Sequence, residues 1–274
     1  PYAYVISPDQ WDRAESVNLL KALKKGGIEI HQATSDFEYN GETYPQNSYV
    51  VYSSQAFRPY LKDLMEPQFY PDRRLYPDGP PEPPYDMAGW TLPIQMGVDV
   101  AKIEDHVDID TKAVEKLTPF KGTVHNSNSS GYLIPSNSNM GIVAVNTLLK
   151  EGHEVERLKE EVSVDGQTFE PGAFYVENSN NVKQLLRNAS REYGIDIFGV
   201  DGKPDVQSMA TEEPKIGIYQ SWTGSMDEGW TRWIFDNYGF EYDRLKNRHI
   251  QKGDLQKYDI IILPSMSASR LLNG

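Results

Sequence analysis

The spacing of apolar residues changes repeatedly over residues 1–66, and this pattern predicts strands that alternate with helices. Apolar residues at alternate positions indicate strands, and apolar residues three and four positions apart indicate helices. The predicted elements are a strand over residues 2–6, a helix from Ser7 to Gly26, a strand over residues 28–33, a hairpin around Asn40-Gly41, a returning strand over residues 44–52 and a helix over residues 57–65. We expect Ser7 to cap the first helix, with Gln10 three positions later.

The same pattern returns 125 residues later without a gap. The matched positions include Leu20 and Val145, Leu23 and Leu148, Gly27 and Gly152, Gly41 and Gly166, Val51 and Val176, and Leu61 and Leu186. Two copies of about 65 residues are too few for a solenoid. The sequence therefore predicts an α/β fold with a duplicated module, whose copies are residues 1–66 and 131–198.

Residues 67–130 connect the two copies in this interpretation, and residues 67–93 are rich in proline and tyrosine. We call residues 67–93 the Pro/Tyr segment. Closely spaced prolines remove backbone donors and fix φ, so no regular element is expected there. A covering loop or strap is the main interpretation. The alternative is a binding lip built from Tyr70, Tyr85 and Trp90, because exposed aromatic rings on a polyproline-like backbone can hold peptide or sugar.

Residues 105–110 alternate acidic and apolar side chains around His106. With a period of two, Asp108 and Asp110 share the face of His106, and Asp105 lies opposite. A solvated strand face is the main interpretation, and a metal site that includes His106 is the alternative.

Residues 199–213 are polar and are predicted to be a linker before a new unit over residues 214–274. That unit reads as a strand over residues 215–220, a helix over residues 227–238, a short strand near Tyr242 and an apolar strand over residues 258–263. This order is typical of the start of a flavodoxin-like, doubly wound sheet. Because such a domain needs more strands, we expect it to be truncated at Gly274; the alternative is that the missing strands are supplied from outside this sequence.

The helix of this unit carries a capping box and an apolar stripe. Ser225 and Glu228 have the spacing of the capping box, and Gly239 ends the helix. The residues predicted to form a buried stripe are Trp230, Trp233, Ile234 and Tyr238.

The loop before this helix is the most site-like stretch of the chain. It lies between the carboxyl end of a strand and the amino end of a helix, where backbone N–H groups can hold an anion. The candidate ligand-binding residues are Ser221, Trp222, Thr223, Gly224, Ser225, Asp227 and Glu228. Two of them have other interpretations, since Ser225 also suits a helix cap and Trp222 also suits a core.

Composition excludes several classes of function. The net charge is −13 and no cluster of Lys and Arg suits a phosphate backbone, so no nucleic-acid partner is expected. The chain has no cysteine, and no apolar run reaches the length of a membrane span. Its five histidines stand in no helix-borne zinc motif, so we assign no catalytic or metal-binding residue.

Four stretches carry a resemblance to a known family. KIGIYQSWTGSMDEGWTRWIF at 215–235, YDIIILP at 258–264, FRPY at 57–60 and PYDMAGWTLPIQMG at 84–97 resemble the region downstream of the catalytic domain in bacterial zinc carboxypeptidase-like proteins. The likeness covers nearly the whole chain, and the two Gly-Trp-Thr contexts are its most specific part.

The resemblance implies a secreted or periplasmic metallopeptidase-like protein. Its zinc domain is expected upstream of this region, and residues 214–274 are expected to begin a class I glutamine amidotransferase-like domain. The family's zinc motif, His-x-x-Glu with a distant His, has no counterpart in this sequence. No catalytic residue is therefore carried over, and no cofactor is expected in this chain. Because the amidotransferase-like part lacks a cysteine nucleophile, that label describes a fold and not glutamine hydrolysis.

Three functional hypotheses follow. The first is a non-catalytic accessory region that supports the upstream peptidase domain or helps it to bind peptide. The second is an independent module that binds a small ligand or a glycan. The third is a hydrolase whose site is assembled from scattered His, Asp and Glu side chains.

Overall fold

The computed structural model describes residues 1–84, 89–118, 120–179 and 181–273. The chain divides into two compact units, Pro1–Lys121 and Gly122–Gly274. Both units combine helices with sheets, which places the chain in the general α/β class. The boundary between the units falls inside residues 67–130, which the sequence pattern treats as one connection.

The first unit contains seven strands and three helices within its described residues. They are β1 (Ala3–Ile6), α1 (Arg13–Lys25), β2 (His31–Ala33), β3 (Phe37–Tyr39), β4 (Glu42–Tyr44), β5 (Tyr49–Tyr52), α2 (Arg58–Met65), α3 (Leu92–Met96), β6 (Ala101–Ile103) and β7 (Thr111–Ala113). Five strands form an antiparallel sheet in the order β6-β1-β5-β2-β7.

The central strand β1 buries both of its faces. Tyr4 and Ile6 pack against α1 through residues such as Leu20, whereas Ala3 and Val5 join a second cluster on the other face. Side chains of a strand point alternately to its two faces, so the continuous apolar run supplies both clusters. The predicted strand is thus confirmed as the middle of a two-sided core.

The hairpin between β3 and β4 is also confirmed. Asn40 has φ of 53° and Gly41 has φ of 82°. Two consecutive residues with positive φ make the tight turn whose twist matches that of the flanking strands. This explains why an Asn-Gly pair occurs at this point.

The predicted cap of the first helix is wrong. The helix α1 begins at Arg13, and the Asp12 carboxylate accepts a hydrogen bond of 2.9 Å from the backbone N–H of Ala14. Ser7 instead accepts a bond of 3.2 Å from the N–H of Asp9, which keeps it in a local turn. Ser and Asp serve equally well as caps, so composition does not choose between them.

The alternating residues 105–110 are also not a strand. The strand β7 starts at Thr111, directly after them. The interpretation of a strand face around His106 is therefore wrong, and charged side chains that point into solvent explain the polar half of the pattern.

The second unit contains eleven strands and five helices within its described residues. They are β8 (Val124–His125), β9 (Gly131–Ile134), α4 (Asn139–Lys150), β10 (Val155–Leu158), β11 (Val162–Val164), β12 (Gln167–Phe169), β13 (Phe174–Glu177), α5 (Val182–Tyr193), β14 (Ile197–Val200), β15 (Ser208–Thr211), β16 (Ile216–Tyr219), α6 (Met226–Tyr238), β17 (Tyr242–Leu245), α7 (Asn247–Lys252), β18 (Ile260–Ile262) and α8 (Ala268–Asn273).

Six of these strands form a sheet in the order β15-β10-β13-β9-β14-β8. The strand β9 buries Tyr132 and Ile134 against α4 and α5, where Leu148 and Leu186 complete the core. The edge strand β15 lies within residues 199–213 and pairs with β10. This part of the predicted linker is therefore a strand of the sheet.

The strands β17, β16 and β18 form a separate sheet in that order, and both pairs are parallel. The helix α6 connects β16 to β17 and contacts α4, where the Asn146 side chain donates a bond of 2.8 Å to the carbonyl oxygen of Tyr238.

The predicted buried stripe of α6 is wrong, because three of its four residues are exposed and Tyr238 is only half-buried. Trp230 is 62% exposed, Trp233 55% and Ile234 46%. Helical spacing predicts which residues share a face of a helix, but it does not predict whether another element covers that face. Within the described residues, no helix combines the length and the apolar character needed to cross a membrane.

Candidate functional site

A pocket of about 700 Å³ in the first unit lies where the two ends of the Pro/Tyr segment meet the sheet. We call it the Glu66 pocket, after the carboxylate that Tyr4, Lys62 and Lys102 contact. Its polar residues include Tyr4, Lys62, Glu66 and Lys102, and its apolar residues include Phe69 and Ile94. Its volume lies within the range of about 300–1,000 Å³ that is usual for small-ligand sites.

Sheet register and helix spacing together bring the polar groups to Glu66. Tyr4 of β1 lies directly opposite Lys102 of β6, so both side chains extend from the same face of the sheet. Lys62 lies four residues before Glu66 at the end of α2, where residues at this spacing are neighbours. One phenol and two ammonium groups therefore surround one carboxylate.

The contacts of the Glu66 carboxylate are short. The Tyr4 hydroxyl donates a bond of 2.9 Å to Oε1, and the Lys102 ammonium lies 3.2 Å from the same oxygen. Lys62 lies 3.6 Å from Oε2. The Glu66 side chain is only 13% exposed. Hydrogen bonds to a charged group in a partly buried place are stronger than bonds at the open surface.

These contacts displace two pKa values in opposite directions. Burial by itself raises the pKa of Glu66, but the bonds from Tyr4 and Lys102 outweigh it, so the pKa of the carboxyl is lowered. The pKa of the Tyr4 hydroxyl is raised, first by burial and then by its bond to Glu66. Both shifts favour a charged Glu66 beside a neutral Tyr4 at neutral pH.

Side chains from the two ends of the Pro/Tyr segment hold the end of α2. The Thr91 hydroxyl donates a bond of 2.9 Å to the carbonyl oxygen of Glu66, and the Gln68 amide donates one of 3.1 Å to the same oxygen. Gln68 also reaches the carbonyl of Asp63 at 3.3 Å. The last carbonyl groups of a helix have no partner within the helix, so these bonds satisfy groups that would otherwise need water.

The rim of the Glu66 pocket is apolar and open to solvent. Phe69 is 92% exposed and Ile94 is 74% exposed. Met65 and Val98 also line the pocket, but they are buried and join the core of the unit. The pocket can therefore hold a molecule that has both an apolar part and hydrogen-bonding groups.

Of the predicted lip residues of the Pro/Tyr segment, the two that the structure describes do not line this pocket. Tyr70 is 42% exposed and Trp90 is half-buried, and neither is a lining residue. Tyr85 lies outside the described residues. Sequence reasoning missed Tyr4, Glu66 and Lys102, because the register between β1 and β6 is what joins them. The spacing of Lys62 and Glu66 was the one local signal of the site.

The other predicted site, the loop from Ser221 to Glu228, is held by its own hydrogen bonds. The buried hydroxyl of Ser221 donates a bond of 2.7 Å to the carbonyl oxygen of Thr223. Trp222 is 90% exposed, which excludes its interpretation as a core residue. A Cβ atom added at Gly224 would meet no other atom within 4 Å, so the loop is open at this point.

The last residues of this loop cap the helix α6 or form its first turn. The Ser225 hydroxyl accepts a bond of 3.4 Å from the N–H of Glu228, so its role as the N-cap of α6 is confirmed. The buried Glu228 carboxylate binds Arg232 at 2.6 and 3.1 Å. The Asp227 carbonyl accepts a bond of 2.7 Å from Thr231. The structure thus places the predicted residues side by side, but Ser225 and Glu228 already have structural partners.

The histidines form no metal centre in the part of the chain that the structure describes. No group of three or more His, Asp or Glu side chains there could hold a metal ion. His106 lies 3.9 Å from Asp108, and both side chains are largely exposed. His125 lies 3.9 Å from Asp196 and stacks on Phe198 with ring centres 4.6 Å apart.

Comparisons with known proteins identify no relative of this chain. No protein-family model, no curated protein and no solved structure matches it.

Proposed function

We propose that this chain is a non-catalytic accessory region of an exported, zinc carboxypeptidase-like metallopeptidase, and that it binds peptide in the Glu66 pocket. One observation supports the binding role most directly. The ion-paired carboxylate of Glu66 and the exposed side chains of Phe69 and Ile94 line the same cavity, at the two ends of the Pro/Tyr segment.

This lining complements the chemistry of a peptide. A peptide presents N–H donors, carbonyl acceptors and apolar side chains at short intervals. The Glu66 carboxylate accepts hydrogen bonds, the Lys62 and Lys102 ammonium groups donate them, and Phe69 with Ile94 offers an apolar surface. A few polar groups within an apolar rim are typical of specific small-ligand sites.

The motifs that resemble the carboxypeptidase-like family support the accessory role, and the catalytic zinc would then belong to an upstream domain. Zinc measured by elemental analysis, after dialysis against trace zinc, tests this part. We expect less than one zinc per chain. A stoichiometric, tightly held zinc would overturn the accessory role and favour a site within this chain.

We further propose that the two strand-rich segments arose by duplication. The sheet order β6-β1-β5-β2-β7 corresponds to the order β14-β9-β13-β10-β15. In both segments a helix follows the first strand, and a short hairpin turns at an Asn-Gly or Asp-Gly pair with positive φ. The parallel order β17-β16-β18 likewise supports a flavodoxin-like arrangement for residues 214–274.

Binding to peptide and glycan arrays tests the proposed ligand class. We expect peptides to be retained, and we expect F69A to weaken their binding at least about fivefold because it removes a rim side chain. The matched control is W222A, which removes another fully exposed aromatic residue. Loss of binding in W222A alone would assign the ligand to the loop at residues 221–228. Retention of glycans alone would favour the independent glycan-binding module.

A further inference from the structure

A second cavity, in the second unit, has a charge opposite to that of the chain as a whole. Residues 244–257 contain five Lys or Arg residues and one Asp, whereas the complete chain has a net charge of −13. This segment includes the end of β17, all of α7 and the loop before β18. A local excess of positive charge raises the concentration of anions around it.

Part of this segment lines a cavity of about 360 Å³. Arg244 lies on β17, Lys252 ends α7, and Lys257 precedes β18. His249 of α7 also lines the cavity. The helix α7 follows β17 directly and packs on it, which is why residues so close in sequence converge on one cavity.

The two acidic residues of the cavity do not cancel these charges. Asp243 accepts a bond of 2.8 Å from the Tyr258 hydroxyl, and Lys257 lies 3.4 Å from the same oxygen. Lys257 and Asp243 therefore neutralise each other. Asp254 is then the one remaining acidic residue among the lining residues, against Arg244 and Lys252.

Arg244 and Lys252 are the two cations of the cavity that Asp243 does not neutralise. In residues 1–84, 89–118, 120–179 and 181–273, neither Arg244 nor Lys252 forms an ion pair. An Arg guanidinium presents a planar set of donors that matches two oxygens of a phosphate, and a Lys ammonium adds a point charge.

We propose that this cavity binds a small oxyanion of the phosphate class, with Arg244 and Lys252 as its main ligands. The volume exceeds that of inorganic phosphate and leaves room for the organic part of a phosphomonoester. The site belongs to the second unit and does not depend on the role proposed for the Glu66 pocket.

Titration with inorganic phosphate tests the site. The amide NMR shifts of the ¹⁵N-labelled full chain report binding, and sodium chloride keeps the ionic strength constant. We expect a saturable shift of the Gly253 amide, which adjoins Lys252. The substitutions R244Q and K252Q should each weaken binding about tenfold, because each removes a charge-assisted contact. D254N should strengthen binding about twofold, because it removes the opposing charge.

The matched control is K21Q, which removes one positive charge from another cavity, whose lining contains four Lys residues and Glu115. We expect K21Q to bind phosphate with unchanged affinity. A parallel titration with phenyl phosphate distinguishes a phosphomonoester ligand from free phosphate. Tighter binding of phenyl phosphate than of inorganic phosphate assigns the site to a phosphomonoester. Equal binding assigns it to free phosphate.

Three results would overturn the proposal. The first is an amide shift that grows linearly with phosphate concentration and does not saturate. The others are an equal loss of phosphate affinity in K21Q and R244Q, and an unchanged phosphate affinity in R244Q. If R244Q fails to give a dispersed spectrum, R244K replaces it, because Lys keeps the charge and loses the fork of donors. A folded R244K with unchanged affinity would equally reject the role of Arg244.

Discussion

The bond between Tyr4 and Glu66 allows a stringent test of the site geometry. The substitution Y4F removes the hydroxyl and keeps the ring, which is 2% exposed and packs in the core of the first unit. The Glu66 carboxylate then loses its donor at 2.9 Å and keeps Lys102 at 3.2 Å. The expected cost is the loss of one hydrogen bond to a charged group.

Such a bond contributes about 1.5–3 kcal/mol. Because Lys102 remains and the Glu66 side chain is 13% exposed, some solvent replaces the lost donor, and we expect a cost of about 1.5 kcal/mol at pH 7. For a unit of this size the corresponding fall in Tm is about 5 °C.

The cost should depend on pH in a defined direction. The pKa of Glu66 is lowered in the folded state, so its contribution is present above the unfolded pKa of about 4.3 and is lost as pH falls through the folded pKa. The pKa of Tyr4 is raised, so its contribution is present below about pH 10 and is lost as pH rises through the folded value. Y4F should therefore cost less at pH 3 than at pH 7.

Hydrogen exchange of the paired amides in β1 and β6 measures the free energy of opening of this unit alone, which avoids assuming that both units unfold together. The control is Y49F. Tyr49 is 5% exposed and its pKa is raised by burial alone. A cost in Y49F equal to that in Y4F, or an additive Y4F/E66A double mutant, would refute a specific bond between Tyr4 and Glu66.

Four further substitutions test the second unit by urea unfolding. G199A should cost about 3 kcal/mol, because the new Cβ would lie 2.1 Å from the backbone oxygen of Asn126. L148A should also cost about 3 kcal/mol, because Leu148 is fully buried in the core between α4 and the sheet. S225A should cost about 1 kcal/mol and increase amide exchange in the first turn of α6, because it removes the N-cap. W230Q should cost less than about 1 kcal/mol, because Trp230 is 62% exposed.

The contrast between Leu148 and Trp230 is the internal control of this set. Both lie at apolar positions with helical spacing, and the packing assigns one to the core and the other to solvent. Similar costs for L148A and W230Q would contradict the arrangement of α6. A folded G199A without loss of stability would contradict the close approach of its neighbour.

Local sequence patterns predict turns and helix ends well where few other residue types could adopt the same backbone conformation. The Asn40-Gly41 pair predicts its hairpin because few other pairs tolerate two consecutive positive φ angles. Ser225 predicts the start of α6, and Gly239, with φ of 72°, ends it. The cap of α1 is different, because Ser7 and Asp12 are both good caps and the choice depends on where the chain leaves β1.

The candidate site depends much more on the tertiary structure. Tyr4, Glu66 and Lys102 are far apart in sequence, and they meet because β6 pairs with β1 in one register and α2 ends beside them. A shift of that register by one residue would turn Lys102 to the opposite face of the sheet.

The sequence by itself determined the alternation of strands and helices and the tight turns, because these follow from local periodicity and backbone preference. The tertiary structure decided which apolar faces are covered, as the exposed Trp230 and the buried Leu148 illustrate. It also decided which charged groups meet, because Tyr4 and Lys102 come within hydrogen-bonding distance of Glu66 only through sheet register and helix packing.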